Sequence, residues 1–241
     1  MTVEISVWSD IACPWCFVGK QRLDRALTLF SETSDVPVAI RWRSFELNPR
    51  PQAVDDRPYA ERLAQKYGRS VTEAEQMIAT MANTIAAEGG TADFGSIVVA
   101  NTFDAHRLLH WAATIESQDA QVNAQYRLND ALMRAYLGSG LNVSDHEALL
   151  NLVGQLGLDV GAARSALSQN RFAQAVRDDE QLAQHYGISG VPFFVIGKYG
   201  MSGAQEADQL LAVLNRVVGE DNLLENSADN GPHCDDSGCE P

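Results

Sequence analysis

Basic residues are scarce in this chain: 18 Lys and Arg stand against 32 Asp and Glu, a formal net charge of -14 over 241 residues. Non-specific affinity for nucleic acid comes from cationic side chains, so a nucleic-acid binder is not expected, and anionic membrane surfaces are disfavoured for the same reason. No apolar run is long enough to cross a bilayer. The opening Met1-Thr2-Val3-Glu4 carries neither a basic region nor an apolar core, so no secretory signal is expected. Cysteine is also sparse, with four residues in two close pairs. That is a poor disulfide scaffold but suits the cytoplasm, the expected compartment, where disulfides tend to be transient and catalytic. Nucleotide loops are missing as well, because Gly89-Gly90 and Gly138-Ser139-Gly140 lack the strand-to-helix setting of a phosphate loop.

What the chain does have is Cys13-Pro14-Trp15-Cys16. It follows an alternating apolar stretch (Val3, Ile5, Val7) and precedes large apolar residues at helical spacing (Phe17, Leu23, Leu27, Phe30), which places it at a strand-to-helix junction. A cysteine at the first turn of a helix meets unpaired backbone N–H groups and the positive end of the helix dipole, and both favour thiolate. Cys13 is therefore the expected nucleophile and Cys16 the resolving thiol, able to cycle between dithiol and disulfide. The same spacing also suits half of a zinc site.

Along the chain, residues 36–45 alternate again and predict a second strand, completing a βαβ unit whose crossover is expected to be right-handed. Residues 47–51, with two prolines, predict a surface connection. From about Arg57 to Gly187 the pattern is helical. Capping boxes are expected at Thr72/Glu75 and Ser144/Glu147, helices over 101–116 and 121–137, a cap at Asp159, and a last helix ending at Gly187. No fixed-period repeat is present, which predicts a helical bundle rather than a solenoid. Val191-Pro192-Phe193-Phe194-Val195-Ile196 predicts a buried strand, Gly197 to Gly200 a turn into a paired strand, and Ala207 to Val218 a closing helix. The predicted class is α/β, in the order β-α-β, helical insertion, β-β-α. Residues 1–50 and 188–218 would form one domain, 51–187 the helical insertion, and 219–241, poor in apolar residues, a mobile tail.

With this order in place, the chain resembles the DsbA family of the thioredoxin superfamily, in which a helical domain interrupts the thioredoxin fold. The FrnE-like branch is the nearest match. The resemblance rests on Val7 to Cys16, Asn101-Thr102-Phe103-Asp104-Ala105-His106-Arg107-Leu108, Gly190 to Phe194 and Ser202-Gly203-Ala204-Gln205. It implies a thiol-disulfide oxidoreductase acting on thiol- or disulfide-containing proteins, with isomerase ability as an extension. The only cofactor implied is the active-site disulfide, with glutathione as a reductant or substrate. It also implies that the Val191–Pro192 bond is cis and lies beside the redox pair, where proline opening a strand leaves neighbouring backbone groups free to pair with an extended substrate. A related branch, the 2-hydroxychromene-2-carboxylate isomerases and kappa-class glutathione transferases, has serine where Cys13 stands. A glutathione-dependent isomerase is the alternative activity, and a zinc-binding or chaperone-like module a second one.

Other residues carry expectations of their own. Trp15 either tunes substrate fit, alongside Val191 and Pro192, or packs against the helical domain. Asp10 is expected as a solvated strand-end residue, with proton movement at Cys16 as the alternative role. His106 and His110, four apart, are expected to be ordinary helix histidines rather than metal ligands. If the resemblance holds, His106 and Asn101 border the cleft. In the tail, Cys234 and Cys239 form a candidate second redox pair, with neighbouring Asp235 and Asp236 raising their pKa values and with enough chain, at ~3.3–3.6 Å per residue, to reach Cys13. Zinc held by His233, Cys234 and Cys239, even with Cys13 and Cys16, is the competing use of the same residues; incidental thiols are the third.

Overall fold

The computed structural model describes residues 2–50, 57–117, 119 and 121–229. The alternating residues at the start form β1 (Val3–Ser9), followed by α1 (Pro14–Ser31) and β2 (Val38–Ser44), with β1 and β2 parallel and Val7 opposite Trp42. Among the described residues a run of seven helices comes next: α2 (Tyr59–Tyr67), α3 (Val71–Ala87), α4 (Phe103–Ala112), α5 (Ala124–Ser139), α6 (His146–Gln155), α7 (Val160–Ser168) and α8 (Ala173–His185). The chain then returns to the sheet as β3 (Phe193–Ile196) and β4 (Tyr199–Ser202), and closes with α9 (Ala207–Asp229). The sheet order is β2-β1-β3-β4, with β3 antiparallel to both neighbours. This is a mixed α/β thioredoxin fold with a helical insertion. Among the described residues no helix is long and apolar enough to cross a membrane.

Among the described residues three apolar clusters follow from this order. One face of the sheet, through Val3, Ile5, Val7, Ile40 and Phe194, packs on Leu23, Ala26 and Phe30 of α1 and on Leu210 and Leu214 of α9. The helical segment has its own core, which takes in Ile11, Cys13, Cys16, Phe17 and Val18 from the start of α1. The cysteine motif therefore sits in the seam between the sheet and the helices. The opposite face of the sheet is covered by α8, the last inserted helix, through Trp8, Ala183 and Ile188.

Polar clamps fix these layers. Asp179 of α8 accepts from the Ser44 N–H at 2.9 Å and from Arg43 at 2.7 Å, and its carboxylate lies 3.2 Å from His110 Nε2 of α4. Burial alone would raise its pKa, but the His110, Ser44 and Arg43 contacts outweigh burial and hold it below the ordinary aspartate value. On the other side of the sheet, Lys20 of α1 is buried between Asp24 and Asp130, at 2.8 Å from each, and ties α1 to α5.

Several boundaries differ from those the sequence suggests. The capping box of α3 is Ser70 with Glu73, not Thr72 with Glu75, because Ser70 is the residue in extended geometry that can accept from the Glu73 N–H. For α6 the cap is Asp145, whose carboxylate accepts from Glu147 N–H; the hydroxyl of the expected Ser144 is bonded to Asn142 instead. Asp159 caps α7 as expected, through Ala162 N–H at 3.0 Å. At the C-terminal end α9 continues past Gly219 to Asp229, so the first part of the expected tail is helical. His233, Cys234 and Cys239 lie outside the described residues.

Candidate active site

β1 ends at Ser9, and a tight turn through Asp10, Ile11 and Ala12 delivers the chain to α1. Cys13 is the N-cap residue, in extended geometry with no side-chain cap bond, and Pro14 occupies the first helical position. Proline fits there because its missing N–H has no intrahelical partner to serve. Cys13 and Cys16 are both free thiols, 6% and 1% exposed respectively.

The two sulfurs are chemically unequal. Cys13 is held below an ordinary thiol chiefly by the hydrogen bond from the Cys16 thiol, against the effect of burial, with the Cys16 and Trp15 backbone N–H groups adding to the lowering. Burial pushes Cys16 well above the ordinary value, and its hydrogen bond to Cys13 and the Cys13 charge push it further. Cys13 is thus the more acidic sulfur of the pair, and Cys16 behind it the less acidic one.

The returning chain completes the front of the site. The Val191–Pro192 peptide bond is cis, and the Val191 carbonyl lies 3.6 Å from Cys13 Sγ. Pro192 approaches α1 so closely that a Cβ on Gly19 would stand 2.9 Å from its ring. The close fit requires glycine at that helix position. Trp15, left open between substrate contact and packing, is 48% exposed and so presents its ring to solvent beside the motif.

Asp10 departs from expectation, for it is 1% exposed rather than solvated. Its carboxylate accepts from Ala12 N–H at 3.2 Å and from Leu47 N–H at 2.8 Å, and Oδ1 faces His106 Nε2 at 3.6 Å. The segment after β2 covers it. That segment is pinned by Asn101, which donates to Glu46 at 2.7 Å, and by the Glu46–Arg177 ion pair at 2.6 Å. His106 thus faces Asp10, and Asn101 ties down the segment that covers it. His110 points elsewhere, to Ser44 and Asp179, so the two histidines do not converge on a shared ligand.

Local sequence gave no sign of Tyr59 of α2 and Tyr136 of α5. Burial raises the pKa of both hydroxyls, and both rings belong to or pack against the apolar cluster that holds Cys13 and Cys16. No residue near either tyrosine in sequence marks it as part of the site; only helix packing brings them there.

Comparison with known proteins follows the same outline. The family model for the DSBA-like thioredoxin domain matches residues 4–215. A probable DsbA oxidoreductase from Streptomyces coelicolor, SCO1869, superposes with a TM-score of 0.78 at 35% identity, over 99% of this chain and 97% of that one. The uncharacterized protein YwbO of Bacillus subtilis (strain 168) is 28% identical over 86% of this chain and 94% of its own length. A 2-hydroxychromene-2-carboxylate isomerase structure shares the fold, at 16% identity and a TM-score of 0.59 over 95% of this chain and 100% of that one. With a family match spanning both halves of the sheet and the helices between them, the chain belongs to the DSBA-like thioredoxin domain family.

Proposed function

We propose that this protein is a thiol-disulfide oxidoreductase that exchanges disulfides with protein substrates through Cys13 and Cys16. The observation that carries this is the placement of Cys13 at the N-cap of α1, facing the Val191 carbonyl at 3.6 Å with Cys16 buried behind it. The Cys13 thiolate attacks one sulfur of a substrate disulfide, forming a mixed disulfide and releasing the other substrate sulfur as thiolate. Cys16 then loses its proton and attacks Cys13, so the Cys13–substrate bond breaks as the Cys13–Cys16 bond forms. Two electrons pass from the cysteine pair to the substrate, and running the sequence backwards oxidises a substrate dithiol.

Trp15, Val191 and Pro192 form the substrate-facing edge. Trp15 and the exposed Leu47 offer apolar surface, and an extended substrate chain would pair with backbone beside Pro192. No cofactor beyond the disulfide is required, and glutathione is a suitable reductant. A reducing compartment such as the cytoplasm suits such a pair. Cys13 also favours thiol exchange over glutathione-dependent isomerisation, since a nucleophilic sulfur stands where that branch places serine. Cys234 and Cys239 act in this scheme as a second redox pair that exchanges with the first or with a partner; unchanged turnover and resting redox state in Cys234→Ser/Cys239→Ser would remove them from it.

The reading is tested by the pH dependence of alkylation of the reduced protein, followed residue by residue. A thiol with a lowered pKa keeps its thiolate at lower pH, so the Cys13 rate is expected to reach its plateau below the ~8.5 of a free thiol. Cys16 should stay slow throughout the neutral range. A Cys13 profile that rises only above pH 8.5 would contradict the assignment of nucleophile.

A further inference from the structure

A cation withdrawn from water usually has a counter-charge beside it, because its desolvation is costly unless a carboxylate compensates. Among the described residues, six Lys and Arg side chains are buried or half-buried. Five follow the rule: Lys20, Arg22, Arg43, Arg107 and Arg177 each lie 2.6–2.8 Å from a carboxylate oxygen. Arg62 of α2 is the sixth. Among the described residues it has no ion pair, and its Nε is buried without a hydrogen-bond partner. The sequence of α2 shows why no acid reaches it. The positions one turn away are Pro58, Tyr59, Gln65 and Lys66, none of them acidic, and the Gln65 carbonyl oxygen is taken by Arg57.

This unpaired cation stands on the helical wall of the cysteine site. The Arg62 guanidinium lies 5.5 Å from the centre of the Tyr59 ring. Tyr59 in turn packs on Phe94, with ring centres 5.3 Å apart, and against the apolar cluster that contains Cys13, Cys16 and Tyr136. Burial raises the Tyr59 and Tyr136 hydroxyls, and the Arg62 charge acts against burial at both. A ring beside a guanidinium orients it without neutralising it, so its donors stay available to an anion.

We propose that Arg62 receives a carboxylate of the disulfide substrate and so sets which disulfides Cys13 attacks. This rests on the oxidoreductase reading above and adds a specificity-determining residue to its first step. The ligand is a disulfide carrying a free carboxylate, either a small molecule or an acidic peptide. The planar fork of a guanidinium matches a carboxylate with two parallel hydrogen bonds. The carboxylate takes no part in the covalent step: the bond from Cys13 to one substrate sulfur forms, the substrate S–S bond breaks, and the other sulfur leaves as thiolate. A local cation matters here because the net charge of -14 repels acidic substrates at long range.

The test measures the rate of mixed-disulfide formation at Cys13, in a Cys16→Ser background, with two matched pairs of substrates. One pair is glutathione disulfide and its fully esterified form; the other is a peptide disulfide with Glu or with Gln beside its cysteine. The ester is cationic and the protein acidic, so long-range attraction favours the ester, and a preference for the acid has to come from a local cation. With Arg62 in place, the acid of at least one pair is expected to react about tenfold faster than its neutralised counterpart, and added salt should shrink that ratio. This comparison needs no substitution at Arg62. In Arg62→Gln the ratio is expected to fall to about one or below, since the only local charge that favours the acid is gone. A response confined to glutathione disulfide assigns the carboxylate to a small substrate, and one confined to the peptides assigns it to a protein. No preference for the acid in either pair overturns the proposal. So does an unchanged ratio in Arg62→Gln, even with both rates lowered, which is what a merely structural role produces. If none of the disulfides forms an adduct, the oxidoreductase reading itself fails, a result distinct from loss of preference.

Discussion

Replacing Cys13 with serine is expected to lower disulfide reduction, measured on insulin with a small thiol as electron source, on the order of 10³-fold or more. Cys13 Sγ is the sulfur with the lowered pKa, at the helix N-cap and against the Val191 carbonyl. A serine hydroxyl there has no accessible anion, and it cannot form the mixed disulfide at all. Cys16→Ser has a different signature, because the first attack needs only Cys13. The adduct should form and persist, so turnover falls while the covalent intermediate accumulates. If Cys13→Ser retained activity within tenfold, the nucleophile would have to be another sulfur.

Gly140→Ala is expected to cost about 2–5 kcal/mol of stability. Gly140 ends α5 at φ 63, and left-handed geometry costs an ordinary residue roughly 1–2 kcal/mol. In addition, a Cβ at 140 would be driven onto the Ser96 carbonyl group, with the carbonyl carbon 2.8 Å away. That neighbour is backbone, so it cannot rotate aside, and overpacking of this kind costs about 1–3 kcal/mol. For a chain of this length the melting temperature should fall by roughly 5–15 °C. Gly157→Ala is the control. Its φ is 71 and a Cβ there would meet nothing within 4 Å, so only the conformational part, about 1–2 kcal/mol, should be lost. Equal losses at the two positions would show that the Ser96 contact carries no cost.

The architecture was legible where a periodicity has a single geometric meaning. Alternation of Val3, Ile5 and Val7 marked a strand with one face in the core, and those three residues are the ones that meet α1 and α9. CPWC with a distant Val-Pro likewise located the two sides of the site. Caps were legible only to within a residue or two, since Ser70 and Thr72, or Ser144 and Asp145, are close in sequence and both chemically able; the one in extended geometry wins. Asp10 was misjudged for a different reason. A carboxylate at the end of a strand usually meets water, and what buries this one, Leu47 and the α4 histidine, lies 37 and 96 positions away in sequence (47 − 10 and 106 − 10). The same holds for Tyr59 and Tyr136, which join the site by helix packing. Local pattern thus revealed the cysteine pair and the Val-Pro step, whereas the side chains packed behind them came from tertiary structure.

The most direct measurement is to trap the intermediate. Cys16→Ser protein is mixed with a disulfide-containing peptide at neutral pH, quenched in acid and mapped by mass spectrometry. The exchange mechanism requires a stoichiometric peptide adduct on Cys13, released by added reductant. An adduct carried by another cysteine, or no adduct while the Cys13 thiol remains accessible to alkylation, would contradict it.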